Sequence, residues 1–195
     1  MNSFDTTVFL WLNAGPSPHV AMLYFATFMS DIAPNLAGIG LLVAAVVGGA
    51  PMRKTVVRCL LGMMLSWLVV SALRRGFPMP RPAALKMGWQ WMQHSTSSGF
   101  PSNHAAGALA CWAGLAISPA LRARPALGLA GLVLALSIAW SRIYLGVHFP
   151  RDVVVGAAIG WISAVGVAAM ADRVSWLLRR RRVMGQRNRR LLAAP

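Results

Sequence analysis

Between Ser141 and Asp152 the chain reads Ser-Arg-Ile-Tyr-Leu-Gly-Val-His-Phe-Pro-Arg-Asp, and this stretch holds Arg142, His148, Arg151 and Asp152, all groups able to act on a phosphate. Pro150 suits the first residue of a helix, where a missing N–H costs nothing, so Asp152 falls in the first turn of the apolar run that follows. His148 and Asp152 are four apart. On a helical path the carboxylate can accept the imidazole Nδ1–H and leave Nε2 as an outward lone-pair nucleophile. The same residues would also fit a plain inter-helix loop with a histidine and a surface ion pair, so the reading needs partners elsewhere in the chain.

Two further segments supply them. Arg74 to Pro82 reads Arg-Arg-Gly-Phe-Pro-Met-Pro-Arg-Pro, and Phe100 to His104 reads Phe-Pro-Ser-Asn-His. Pro101-Ser102 ahead of an apolar helix makes Ser102 an N-cap. The N–H groups of Asn103 and His104 then face outward as an anion cradle, strengthened by the helix dipole. Capping alone would also account for Ser102.

The elements that must position these groups follow from composition. Of 195 residues, 57% are hydrophobic and 12% charged, and mean hydropathy is +0.58; a soluble domain carries about twice that charged share. Apolar runs approaching the ~30 Å depth of a bilayer core recur along most of the length. The expected fold class is therefore all-α, a polytopic membrane helical bundle of about six transmembrane helices. Residues 1–172 form one membrane-embedded domain, and residues 173–195 a basic cytoplasmic tail. Within that domain residues 1–15 suit an interfacial helix. Its early stretch has Asp5, no Lys or Arg and no small-residue cleavage site, so a removed signal peptide is not expected. Apolar segments from Val20 to Ser30 and Leu36 to Ala50 are separated by Asp31-Ile32-Ala33-Pro34-Asn35. Later spans run to Leu73, from Asn103 to Leu121, up to Trp140 and from Val153 to Ala171.

Charge placement gives an orientation. With six spans alternating from a cytoplasmic N-terminus, one side holds Arg53, Lys54, Arg58, Arg122, Arg124 and eight tail arginines, thirteen of the 19 basic residues. The positive-inside rule makes that side cytoplasmic. Arg74, Arg75, Arg81, Lys86, Arg142 and Arg151 fall on the outer side, together with all three segments above. The net charge of +15 thus reads as a tail near anionic lipid, with no nucleic acid as partner. Cys59 and Cys111 sit in apolar runs with neither disulfide nor metal spacing. His19 and His94 fit surface positions, Trp89 and Trp91 a membrane interface, and Lys86 and Arg151 a role in attracting an anionic headgroup.

The three segments together resemble the signatures of the phosphatidic acid phosphatase type 2 superfamily, integral-membrane lipid phosphatases related in their active site to vanadium haloperoxidases. Those signatures are a Lys, six residues, then Arg-Pro; a Pro-Ser-Gly-His; and a Ser-Arg, five residues, His, three residues, Asp. Here they stand as Arg74 with Arg81-Pro82, as Pro101-Ser102-Asn103-His104, and as Ser141-Arg142 with His148 and Asp152. Arg74 replaces the usual lysine, exchanging a compact ammonium for a planar fork. Asn103 replaces the usual glycine, as in the undecaprenyl diphosphate phosphatase branch that the sequence also resembles. The likeness covers residues 50 to 172 or so.

Carried over, the resemblance implies that Arg74, Arg81, Ser102, Asn103 and Arg142 bind the phosphate. It makes His148 the nucleophile, oriented by Asp152, and His104 the acid that protonates the leaving oxygen and later activates water. No metal or other cofactor is expected, because four aspartates and no glutamate leave no carboxylate cluster for Mg²⁺. The expected substrate is an amphiphilic lipid phosphate, with membrane lipids as the surroundings. Undecaprenyl diphosphate is the first choice, hydrolysed on the outer face of a bacterial inner membrane. Phosphatidylglycerophosphate, phosphatidate or lipid A phosphatase activity and a lipid phosphotransferase are the alternatives. A non-catalytic lipid or ion transporter is the alternative of another class, although the inverted repeats and broken helices of transporters are not evident.

Overall fold

The structure, a computed structural model, describes residues 3–93 and 97–192; His94 lies outside them. Its regular elements are helices: α1 (Ser3–Leu12), α2 (Val20–Thr27), α3 (Ala33–Val47), α4 (Ala50–Gly76), α5 (Asn103–Ala116), α6 (Pro119–Arg122), α7 (Pro125–Tyr144) and α8 (Pro150–Leu192), with a 3₁₀ turn at Pro82–Leu85. Proline sets many of the starts. Pro119, Pro125 and Pro150 are first residues, and Pro51 a second one, where the absent N–H would have had no partner in the helix.

One expectation about the path needs correction. The stretch Asp31–Asn35 does not separate two spans. A π turn at Phe28–Ile32 joins α2 to α3, so Val20–Val47 runs as one helix of 28 residues. Pro34 should clash with the carbonyl four residues back, but the wider turn, closed by Ala33 N–H on Phe28 O, accommodates it. As a result the N-terminal segment lies at the same end of the bundle as the three segments, not the opposite one. Asn13 Nδ2 donates to the carbonyls of Trp89 (2.9 Å) and Tyr144 (3.2 Å), and Trp91 Nε1 donates to Gly15 O at 2.9 Å.

The all-α polytopic bundle is as expected, although the span expected from Asn103 to Leu121 ends as a helix at Ala116 and a separate short helix begins at Pro119. Val20–Val47, Ala50–Gly76, Pro125–Tyr144 and Pro150–Met184 are each long and apolar enough to cross a membrane. Large apolar side chains such as Leu42, Val46, Leu60 and Trp67 project outward, the arrangement of a protein solvated by lipid. The shorter α5, 14 residues or about 21 Å, packs among α4, α7 and α8 and buries Ala105, Ala106, Leu109, Ala110 and Ala113. Small residues let it come close. A Cβ on Gly156 would land on the carbonyl of Ser102, and one on Gly160 on the carbonyl of Ala106, so the α5–α8 contact is a backbone-to-backbone approach. Cys59 is fully buried and Cys111 half-buried, both free thiols in helix packing.

A second, small core lies at the site end. Phe9, Ala105, Ala139, Ile143, Phe149 and Val153 cluster there, with Phe9 edge-on to Phe149 at 5.2 Å and 61°. Complete burial of Phe9 among these side chains docks α1 against the bundle.

Candidate active site

Each of the three segments begins or ends a helix, and this places their side chains at one end of the bundle. Arg74 lies in the last turn of α4, Ser102 caps α5, Arg142 lies in the last turn of α7 and Asp152 in the first turn of α8. Ser102 accepts from Ala105 N–H as an N-cap should, and its own N–H donates to Asp152 O at 2.9 Å, tying the start of α5 to that of α8. Between α7 and α8 the chain turns back through Gly146 at φ +78°, where a Cβ would collide with the Trp89 carbonyl. Val147 and His148 then donate their N–H groups to Arg142 O at 3.1 and 3.2 Å.

His148 sits between an acid and a base. Its Nδ1 is 3.4 Å from Asp152 Oδ2, and both residues are 1% exposed. Its Nε2 is 3.2 Å from Arg81 Nη1. A guanidinium can only donate, so this contact requires the lone pair on Nε2 and the proton on Nδ1, facing the carboxylate. That is the tautomer a nitrogen nucleophile needs. Asp152 Oδ2 is itself fixed by the Phe149 N–H at 2.9 Å.

Arg81 is held by backbone. Nε donates to Ser97 O (3.0 Å), Nη2 to Ser98 O (3.2 Å) and Nη1 to Val147 O (2.9 Å), bridging the long loop to the α7–α8 turn. Burial first, and then repulsion from Arg74, pull its pKa down to about 10, with Asp152 working the other way. Arg142 is more deeply enclosed at 1% exposure. Its Nη1 donates to Ser30 Oγ and lies 3.3 Å from Met92 Sδ, while Nε and Nη2 have no hydrogen-bond partner among the described residues. Such donors inside a protein are costly until an anion arrives. Arg74 gives Nε and Nη2 to Pro101 O at 3.0 and 2.8 Å, so it clasps the turn before α5.

The structure therefore gathers Arg74, Arg81, Ser102, Arg142, His148 and Asp152. Asn103 and His104, at the start of α5, open onto a neighbouring cleft of about 590 Å³ between α3, α5 and α7. The cleft continues away from them past Gly107, Ala108 and Trp112. Of the residues left outside the reading above, Lys86 is exposed at the end of the 3₁₀ turn, whereas Arg151 is drawn inward to Asp5, with Nε 3.3 Å from Oδ2. Sequence reasoning missed Asp5, Asn13, Ser30 and Met92. Asp5 had one usable signal, its rarity as one of four acidic residues in the chain. Among the described residues no group of three or more His, Cys, Asp or Glu side chains could hold a metal ion.

Comparison with known proteins gives the family. Residues 55–176 match the PAP2 superfamily. The chain belongs to the PAP2 superfamily. That is a family of membrane lipid phosphatases, phosphoric ester hydrolases of bacterial membranes among them, and among the described residues four helices of this chain are long and apolar enough to cross a membrane. It is 30% identical over 174 residues to YbjG of Escherichia coli (strain K12), named provisionally as an undecaprenyl-diphosphatase, covering 85% of this chain and 81% of that one. It is 36% identical to Phosphatidylglycerophosphatase B of the same organism over 94 residues, 48% of this chain and 35% of the other. The crystal structure of Aquifex aeolicus LpxE superposes with a TM-score of 0.75 at 25% identity, covering 86% of this chain and 96% of that one. A PAP2-type phosphatidylglycerolphosphate phosphatase from Bacillus subtilis shares the fold, with a TM-score of 0.66 at 20% identity over 88% of this chain and 86% of the other.

Proposed function

We propose that this PAP2 protein removes the terminal phosphate of undecaprenyl diphosphate on the outer face of a bacterial inner membrane, through a phosphohistidine. The observation that carries the chemistry is the pair of contacts on His148: Asp152 at Nδ1 and Arg81 at Nε2. When a phosphate enters, the Arg81 fork moves onto its oxygens and uncovers the Nε2 lone pair. The bare nitrogens of Arg142 take further oxygens. Nε2 attacks phosphorus in line, the P–O bond to the leaving group breaks, and His104 gives that oxygen its proton. Water, deprotonated by His104, then cleaves the P–N bond, releasing inorganic phosphate and restoring the His148 lone pair.

The choice of lipid rests on other grounds. The cleft beside His104 is apolar, runs along α5 and suits a hydrocarbon tail whose phosphate lies at the histidines. Undecaprenyl diphosphate is favoured by the likeness to YbjG, which extends over most of both chains. Phosphatidylglycerophosphate is the second reading, favoured by the shorter likeness to Phosphatidylglycerophosphatase B. Both are tested by phosphate release in detergent from a panel of undecaprenyl diphosphate, phosphatidylglycerophosphate, phosphatidate and lipid A. Wild type should be fastest on the first, and His148→Ala inactive on all. Equal rates for the two proteins would favour a binding protein, and a preference for a glycerophospholipid would displace the proposed substrate.

A further inference from the structure

Asp5 takes no part in the chemistry above, yet it is buried at 6% exposure in a chain with only four acidic residues. Its Oδ1 accepts the backbone N–H of Arg151 at 2.9 Å, and its Oδ2 lies 3.3 Å from Arg151 Nε. Arg151 is the second residue of α8, a position whose N–H is normally satisfied by the side chain that precedes the helix. Here that preceding residue is Phe149, which has no acceptor and is buried in the small core. Its own N–H is taken by Asp152, three residues on. The two halves of a capping box are thus divided: Asp152 supplies one from α8 itself, and Asp5 supplies the other from α1, 146 residues upstream. The Arg151 guanidinium lies over the Phe149 ring at 5.5 Å and 3.6 Å from Asp152 Oδ1, between the two carboxylates.

We propose that Asp5 is a positioning residue for catalysis, and that α1 is thereby a working part of the active site. By capping the first turn of α8 from outside, Asp5 sets the pitch at which that turn presents Asp152 to His148. A carboxylate also offsets the positive end of the α8 dipole directly beneath the site. Phe9 and Asn13 brace the same helix against Phe149 and against the Trp89 and Tyr144 carbonyls, so Asp5 is delivered by a docked element.

The inference rests on His148 being the nucleophile, and the experiment separates the two claims. Full-length protein in detergent is assayed for phosphate release from farnesyl diphosphate. Loss of activity in His148→Ala supports the nucleophile, and equal rates overturn that reading whatever Asp5 does. In Asp5→Ala, kcat should fall about tenfold with KM within about twofold, because the cap is lost while the phosphate-binding arginines stay. Asp5→Asn keeps an oxygen for the Arg151 N–H and should recover to within about threefold of wild type. Arg151→Ala retains the capped N–H and should lose less than Asp5→Ala. Wild-type kcat in Asp5→Ala, a change confined to KM, or Arg151→Ala matching it would overturn the proposal. Should Asp5→Ala fail to fold, hydrogen exchange at the Arg151 amide of the wild type decides: this first-turn N–H has no acceptor within its own helix, so protection supports the cap from Asp5 and free exchange rejects it.

Discussion

Arg81 donates from one nitrogen, Nη1, both to Val147 O at 2.9 Å and toward Nε2 of the adjacent His148 at 3.2 Å. A residue from the α4–α5 loop therefore reads the tautomer of a residue in the α7–α8 turn, and the phosphate competes with the nucleophile for the same donor. Replacing Arg81 by Lys leaves one compact ammonium where a fork bridges three carbonyls and the imidazole. We expect kcat/KM to fall about 10²-fold or more, the cost of breaking a buried charged hydrogen-bond set. A variant within threefold of wild type would remove Arg81 from the mechanism.

The depressed pKa of Arg81, about 10, gives a pH test. Below that value the guanidinium is charged and binds phosphate; above it the charge is lost. The alkaline limb of kcat/KM, which reports free enzyme, should fall with a midpoint near 10. In kcat the limb should move upward, because bound phosphate stabilises the charged form. A kcat/KM profile level to pH 11 or so would contradict this.

Asp152 holds the Nδ1 side of His148 at 3.4 Å and accepts the Phe149 N–H. Asp152→Asn keeps the shape but offers the imidazole an amide that can favour the wrong tautomer. On the precedent of oriented histidines generally, kcat should drop about 10²–10⁴-fold with little change in KM. Steady-state kinetics with farnesyl diphosphate measure this directly.

Gly107 faces the cleft beside His104, and a Cβ built there meets nothing within 4 Å. Gly107→Phe should fold and fill the cleft. The expected result is a rise in KM of about tenfold or more for long-tailed lipid phosphates and little change for a short water-soluble phosphate ester. Parallel losses on both would mean that the cleft does not hold the tail.

Activity should survive EDTA, since the charge that would otherwise come from Mg²⁺ is supplied by Arg74, Arg81 and Arg142. The check is phosphate release before and after chelation, with and without added Mg²⁺. Strict dependence on Mg²⁺ would require a different mechanism.

Much of this protein is written locally and can be read locally. Helical spans follow from apolar runs in a solvent that satisfies no backbone group, the start of α8 from Pro150, and the N-cap from Ser102, because each depends on a few adjacent residues. The spacing of His148 and Asp152 predicts their pairing for the same reason. The π turn that carries α2 into α3 was not legible, since Pro34 breaks or bends a helix according to whether the preceding turn can widen, and packing decides that.

Tertiary structure alone decided the rest. The donors of Arg74 turned to the Pro101 carbonyl, Arg142 met Ser30 and Met92, and Asp5 reached the start of α8, all through contacts between elements far apart in the chain. Residue types name the groups that can hold a phosphate or move a proton. Which of them meet it, and which hold the others still, depends on where folding closes the loops between helices, and no local pattern records that.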